Sequence, residues 1–257
     1  MSGTFLIDIG NSALKWAAIS TPQNTGVMVY SDPIELAEQV RDFYQKQRPE
    51  LIYACTVADA RVAATLNAVC HRTRVEWLGS QRIFRGRFTL ENRYEDYSKL
   101  GADRWYAAIG AAAKHPGTSL LVIQMGTALT ADSIHCLGES RYEYLGGRIA
   151  PGPTMMCTML MSGAARLKSI APGSLSRFPL NTNDAVTTGI FDCIEGFMRG
   201  GLASLGEDAS VKLVVTGGAA RFFEFEIRER FPRAVFDDNL VITGLAARVA
   251  SEAEKEH

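Results

Sequence analysis

The sequence predicts an α/β protein built from two related halves. Strand-like and helix-like patterns alternate along the chain. Two turns, Asp8-Ile9-Gly10-Asn11-Ser12 and Gln124-Met125-Gly126-Thr127-Ala128, each lie between two strand-like stretches. Their glycines, Gly10 and Gly126, are 116 positions apart (126 − 10), nearly half of the 257 residues. A recurrence matched in context as well as in letters implies two domains, residues 1–115 and 116–257, facing each other across a cleft.

Each element has its own signal. Phe5–Ile7 is a short apolar run, and Ala13–Ile19 follows the first turn directly, so the two form an antiparallel hairpin. Residues 33–47 place Ile34, Leu36, Ala37, Val40, Phe43 and Tyr44 near helical spacing, with Pro33 in the first turn. Leu51–Val57 reads as a buried strand, and residues 59–72 as a helix capped by Asp59 with Val62, Leu66 and Val69 on one face. Val75–Leu78 is a further short strand. Gly101–His115 is Ala-rich and helical, stopping at Pro116-Gly117.

The pattern then restarts. Leu120–Ile123 runs into the second turn, and another strand continues to about Ile134. A Gly/Pro turn over Gly146–Pro153 precedes a Met-rich helix, whose Met155, Met156, Met159 and Met161 read as adaptable packing. A long helix spans about Asn183 to Leu205, a strand Val211–Val215 ends at Thr216-Gly217-Gly218, and the last helix starts near Leu240.

Composition excludes several classes. Twenty-seven Lys and Arg against 28 Asp and Glu give a net charge of −1, which removes a polybasic protein gripping nucleic acid by bulk charge. The cluster Arg82, Arg85 and Arg87, with Phe84 and Phe88 between, reads as a solvated loop or strand. Cys55, Cys70, Cys136, Cys157 and Cys193 are odd in number, with no C-x-x-C pair, so neither a zinc motif nor a disulfide framework is expected. The apolar stretch at the start is broken by Asp8, and no run of 18 apolar residues occurs. The expectation is a cytoplasmic protein without membrane or nucleic-acid partners.

The paired turns point to phosphate chemistry. Glycine lets backbone N–H groups converge on an anion, Ser, Thr and Asn add donors, and an Asp can hold a divalent cation directly or through water. Hairpins use the same residues for their own geometry, so a single such turn decides nothing. Two opposed turns can grip adjacent phosphates, with Thr216-Gly217-Gly218 as a close floor for a nucleoside. Neither G-x-x-x-x-G-K-[ST] nor G-x-G-x-x-G occurs.

At these residues the sequence resembles the type III pantothenate kinases of the actin/Hsp70/sugar-kinase superfamily. The motifs run in order over nearly the whole chain: Asp8–Ser12, Gly101-Ala102-Asp103-Arg104, Gly126-Thr127-Ala128 with Thr130 and Asp132, Gly146–Gly152, Asn181-Thr182, Thr216-Gly217-Gly218 and Leu240–Leu245. The resemblance implies two actin-like (ribonuclease H-like) domains and ATP-dependent phosphorylation of pantothenate, the first step of coenzyme A synthesis. It further implies Mg²⁺ with ATP, a monovalent cation (K⁺ or NH₄⁺), and a homodimer.

By the same resemblance Asp8, Ile9, Gly10, Asn11, Ser12, Ala13, Leu14 and Lys15 form the first phosphate loop and Thr127 serves the second; the turn chemistry itself puts Gly217 at the nucleoside. Tyr94, Gly101, Ala102, Asp103, Arg104 and Thr182 match the pantothenate contacts, and Asp103 the catalytic base. Read from the residues alone, Asp103 also suits a helix cap, Arg104 a salt bridge, Asp8 an Asx turn and Lys15 a solvent-facing strand position. As a ligand Asp8 positions Mg²⁺ through water.

Two positions depart from the family pattern. Gln124 stands where an Asp is usual at the monovalent-cation site, offering a neutral oxygen and weaker cation affinity. Tyr97 stands where Pro is common, three residues after Tyr94. The Bvg accessory factor branch diverges similarly, so the alternative is a catalytically impaired regulatory or ligand-sensing relative.

Overall fold

The computed structural model describes residues 3–164, 167, 170–206 and 210–254. The chain forms two compact units: Met1–Gly117 with Cys136–Tyr144 and Asn239–His257, and Thr118–His135 with Leu145–Asp238.

The first unit opens with β1 (Thr4–Ile9), β2 (Ala13–Ala18) and β3 (Thr25–Val29), then α1 (Pro33–Gln47), β4 (Leu51–Thr56), α2 (Ala60–Val69) and β5 (Arg74–Trp77). The strands form a sheet in the order β3-β2-β1-β4-β5. β1 and β2 are antiparallel, with Asp8 opposite Lys15, and β1 and β4 are parallel, with Asp8 aligned to Cys55. The two-residue period of a strand sends Phe5, Ile7 and Ile9 to one face, where they pack with Leu36, Val40 and Phe43 of α1 and Val62 and Leu66 of α2. Asp8 is therefore on the opposite face. Asp32 and Asp59 cap α1 and α2; Asp32 accepts from the amides of Ile34 and Glu35 at 2.8 and 3.0 Å.

Next come β6 (Ile83–Arg85), β7 (Thr89–Asn92) and α3 (Ala102–Lys114). Phe84 and Phe88 are buried against each other and Tyr142, with ring centroids 5.0 and 5.4 Å apart, while Arg85 and Arg87 are exposed. The aromatic residues of the basic cluster are thus buried, Phe84 on β6 and Phe88 just before β7.

The second unit is carried by β8 (Leu120–Met125), β9 (Ala128–Gly138) and β10 (Arg141–Pro151), then α4 (Pro153–Gly163), α5 (Thr182–Ser204), β11 (Lys212–Thr216), α6 (Glu224–Arg230) and β12 (Val235–Phe236). Its strands follow the order β10-β9-β8-β11-β12, which repeats β3-β2-β1-β4-β5 element for element. In each, an antiparallel hairpin lies beside a strand parallel to its first member: β4 on β1, and β11 on β8. The internal duplication expected from the two turns is present in the topology. The core of this unit packs Leu121, Ile123 and Met125 of β8 against Ile190, Ile194 and Met198 of α5.

The chain closes with α7 (Leu240–Ala253), and here a single cut at 115/116 does not describe the units. α7 packs on α3, with Gly110 and Gly244 at the crossing. A Cβ on Gly110 would sit 2.0 Å from the Leu240 carbonyl oxygen, and one on Gly244 1.9 Å from that of Tyr106. Only two glycines let the backbones approach this closely, and the contact holds the C-terminal helix to the first unit. Cys136–Tyr144 joins that unit because Arg141–Tyr144 of β10 pairs in parallel with β7.

The expected turn over Gly146–Pro153 is instead the end of β10, which continues to Pro151 before Pro153 starts α4. β3, β6, β7, β12 and α6 lacked a usable pattern. Each is short, and β3 exposes Val27 and Val29 at a sheet edge.

Candidate active site

In the first unit, the turn after β1 is tight. Gly10 donates its amide to the Ala13 carbonyl at 2.9 Å, and Asn11 and Ser12 are exposed. The side chains of Ile9 and Leu14 are buried in the core, so any part they take in phosphate binding falls to the backbone. Asp8 and Lys15 lie opposite each other in the hairpin register, both half-buried. The strand position of Lys15 faces Asp8, and its charge lowers the Asp8 pKa.

Asp8 is pushed up to about 7, first by burial and then by the like charge of Asp103; Lys15 and a hydrogen bond from Cys55 act the other way. The Cys55 thiol donates to Asp8 Oδ1 at 3.6 Å and is itself raised well above its ordinary range by burial and by both carboxylates. Two carboxylates from β1 and α3 therefore converge on one small region. A divalent cation there would relieve their repulsion, so the donor set fits Mg²⁺. Among the described residues no cluster of three or more His, Cys, Asp or Glu could hold a metal. Mg²⁺ characteristically uses one or two carboxylates, with water and phosphate completing its shell.

Asp103 does not cap α3. The cap position is Gly101, with no side-chain bond, and Asp103 lies in the first turn, where its Oδ1 accepts the Arg104 amide at 2.7 Å. The helix N-terminus favours its ionised form. Ala102 is buried at the start of the same turn.

Arg104 is 5% exposed. Its Nη1 donates to the Tyr94 hydroxyl at 3.2 Å and its Nη2 to the Tyr144 hydroxyl at 2.9 Å, with the guanidinium 5.9 Å from the Tyr94 ring centre. Tyr94 and Arg104, named separately from the sequence, thus meet. Tyr144 was not anticipated, because it reaches Arg104 only through the β7–β10 pairing.

In the second unit, Gly126 donates to the Ala128 carbonyl at 2.9 Å, the counterpart of the Gly10–Ala13 bond with a loop one residue shorter. Thr127 is exposed, and its carbonyl accepts the Gly152 amide at 2.9 Å. Gly217 has φ +100, and a Cβ there would fall 2.3 Å from the Met125 carbonyl oxygen, so the third turn needs glycine for packing alone. Gln124 lies between Thr130 and Thr216 in the strand register, and its buried Oε1 has no hydrogen-bond partner among the described residues. An orphaned carbonyl oxygen is a fitting ligand for a monovalent cation. Thr182, the first residue of α5 after the Asn181 cap, lines an apolar hollow of about 1110 Å³ with Met156, Leu160, Leu180 and Ile190.

Residues 4–203 match the family model of the type III pantothenate kinases. The chain belongs to the type III pantothenate kinase family. It is 31% identical to the type III pantothenate kinase of Albidiferax ferrireducens, covering 96% of this chain and 98% of that one. It is 30% identical to that of Aromatoleum aromaticum, with the same two coverages. Among solved structures, a Campylobacter jejuni protein described as a Baf family transcriptional activator matches with TM-score 0.58 and 21% identity, over 97% of this chain and 99% of that one. A Sinorhizobium meliloti protein described as a 2-dehydro-3-deoxygalactonokinase matches with TM-score 0.56 and 16% identity, over 98% and 99%. These likenesses concern the fold, which for this type III pantothenate kinase family member is the duplicated actin-like α/β fold.

Proposed function

We propose that this chain transfers the γ-phosphoryl group of ATP to the primary hydroxyl of pantothenate, giving 4'-phosphopantothenate and ADP. The convergence of Asp8 and Asp103 carries the reading: burial first, and then the Asp103 charge, raise the Asp8 pKa. Phosphoryl transfer chiefly needs alignment, neutralised charge and one carboxylate beside the attacking hydroxyl. Asp103 takes the hydroxyl proton as the oxygen bonds to the γ-phosphorus, and the bond to the β-phosphate oxygen breaks with ADP leaving. Mg²⁺, when bound, supplies charge neutralisation at the phosphates. Asp8 would hold it through water, and Lys15 and the amides of Asn11 and Ser12 would face the anion. Arg104, held by Tyr94, presents a planar fork to the pantothenate carboxylate, with Gly101 and Ala102 supplying backbone.

On the second unit, Thr127 and Gly217 are assigned to nucleotide, Thr182 to pantothenate and Gln124 to a weakly held K⁺ or NH₄⁺. A homodimer acting in the cytoplasm completes the reading. Among the described residues no helix is long and apolar enough to cross a membrane.

The test is ADP release measured with and without pantothenate across a potassium titration. Pantothenate-dependent ADP release, rising with potassium, is the expected result. Pantothenate-independent hydrolysis, or none, would overturn the assignment.

A further inference from the structure

Tyr30 follows β3 directly and is 5% exposed, its ring packed in the core formed by β1, β2 and α1. Two of its polar groups reach the first loop. The hydroxyl donates to the Gly10 carbonyl, and the amide donates to the Ser12 carbonyl at 3.1 Å. A third bond, Gly10 amide to Ala13 carbonyl, closes the turn from within. The loop is therefore held by its carbonyls. Among the described residues, the amides of Asn11 and Ser12 have no protein acceptor, and both residues are exposed. Burial first, and then the nearby Asp8 charge, raise the Tyr30 pKa, so the phenol lies beside the same site.

We infer that Tyr30 is a positioning residue for the nucleotide: it clamps the Gly10–Ser12 loop by two carbonyls so that the loop amides are set for an anion before it arrives. Backbone donors that need no rearrangement bind an anion better than donors that must first be ordered. The ring supplies rigidity because it is fixed by core packing, and the hydroxyl transmits that rigidity to the loop. The Tyr30 hydroxyl is the side-chain donor to the Gly10 carbonyl, and the Tyr30 backbone amide is the donor to that of Ser12. The inference rests on the nucleotide reading of the loop.

The deciding variant is Tyr30→Phe, which keeps the ring and removes only the hydroxyl. The dissociation constants of MgADP and of pantothenate are measured by calorimetry, alongside amide hydrogen exchange of a peptide spanning residues 9–14. The loss of one buried hydrogen bond predicts MgADP affinity weakened about five- to tenfold. Pantothenate affinity is expected to change by less than about twofold, well below the worth of one such bond, and the loop peptide to exchange faster. Equal weakening for both ligands would assign Tyr30 a general structural role and overturn the clamp. Unchanged MgADP affinity in a folded variant would also overturn it. Wild-type protein that binds no MgADP would instead overturn the nucleotide reading, a distinct failure visible before any variant is made.

Discussion

Nη2 of Arg104 donates to the hydroxyl of Tyr144 at 2.9 Å, joining the first turn of α3 to a strand 40 positions further along the chain. The same guanidinium is held by Tyr94, so a charge taken almost fully out of water has two phenol oxygens among its partners. Tyr144→Phe leaves a buried donor short of an acceptor, a loss of about 1–3 kcal/mol. At about 2–4 °C per kcal/mol for a chain of this size, the melting temperature should fall by several degrees. Thermal unfolding checks this.

Tyr94→Phe removes the other phenol oxygen, at a more exposed position. Arg104 then loses alignment toward substrate more than it loses stability. Steady-state kinetics should show the pantothenate KM raised about five- to tenfold, the worth of one hydrogen bond. The ATP KM should be unaffected.

Asp103→Asn keeps the size and shape of the side chain but removes its capacity to take a proton. Turnover should drop by about 10²–10⁴-fold while nucleotide binding persists. Rapid-quench assays and calorimetry separate the two effects. Near-normal turnover in the folded variant would remove Asp103 from the base role.

Raising the Asp8 pKa from 3.8 to about 7 links stability to pH. Between these values the folded protein binds more protons at Asp8 than the unfolded chain does, so this carboxyl makes ligand-free stability decline as pH rises from about 4 to about 7. Asp8→Asn should therefore raise the melting temperature at pH 8, leave it little changed near pH 4, and abolish turnover. Mg²⁺ with nucleotide should stabilise the wild type more than the variant at pH 8.

Gln124 tests the monovalent cation. Its orphaned Oε1 is a neutral ligand, so activity should need high potassium. Gln124→Asp adds a full charge at the same position and should lower the potassium midpoint about tenfold, roughly 1.4 kcal/mol. A potassium titration at constant ionic strength reads it. Loss of all potassium dependence in both proteins would remove Gln124 from a cation site.

Much of this protein is legible in its residues taken in order. The two Gly turns, the hairpins around them, α1 with its Asp32 cap and the long α5 each follow from local spacing and capping, which depend only on neighbours a few positions apart. The recurrence of the turns already implied the duplicated topology. The motifs also named Asp8, Asp103, Arg104 and Tyr94, since glycine-flanked polar residues stand out against an apolar background. Non-local packing decided the rest. α7 belongs with α3 because two glycines, Gly110 and Gly244, remove the side chains that would keep the backbones apart. Tyr144 and Tyr30 look like ordinary core aromatics in the sequence, and only folding brings one hydroxyl to Arg104 and the other to the Gly10 carbonyl. The raised pKa of Asp8 likewise needs burial and the approach of Asp103 from a separate element. Sequence spacing records which groups are available. Which of them share a low-dielectric space, and so change one another's chemistry, is set by tertiary contact.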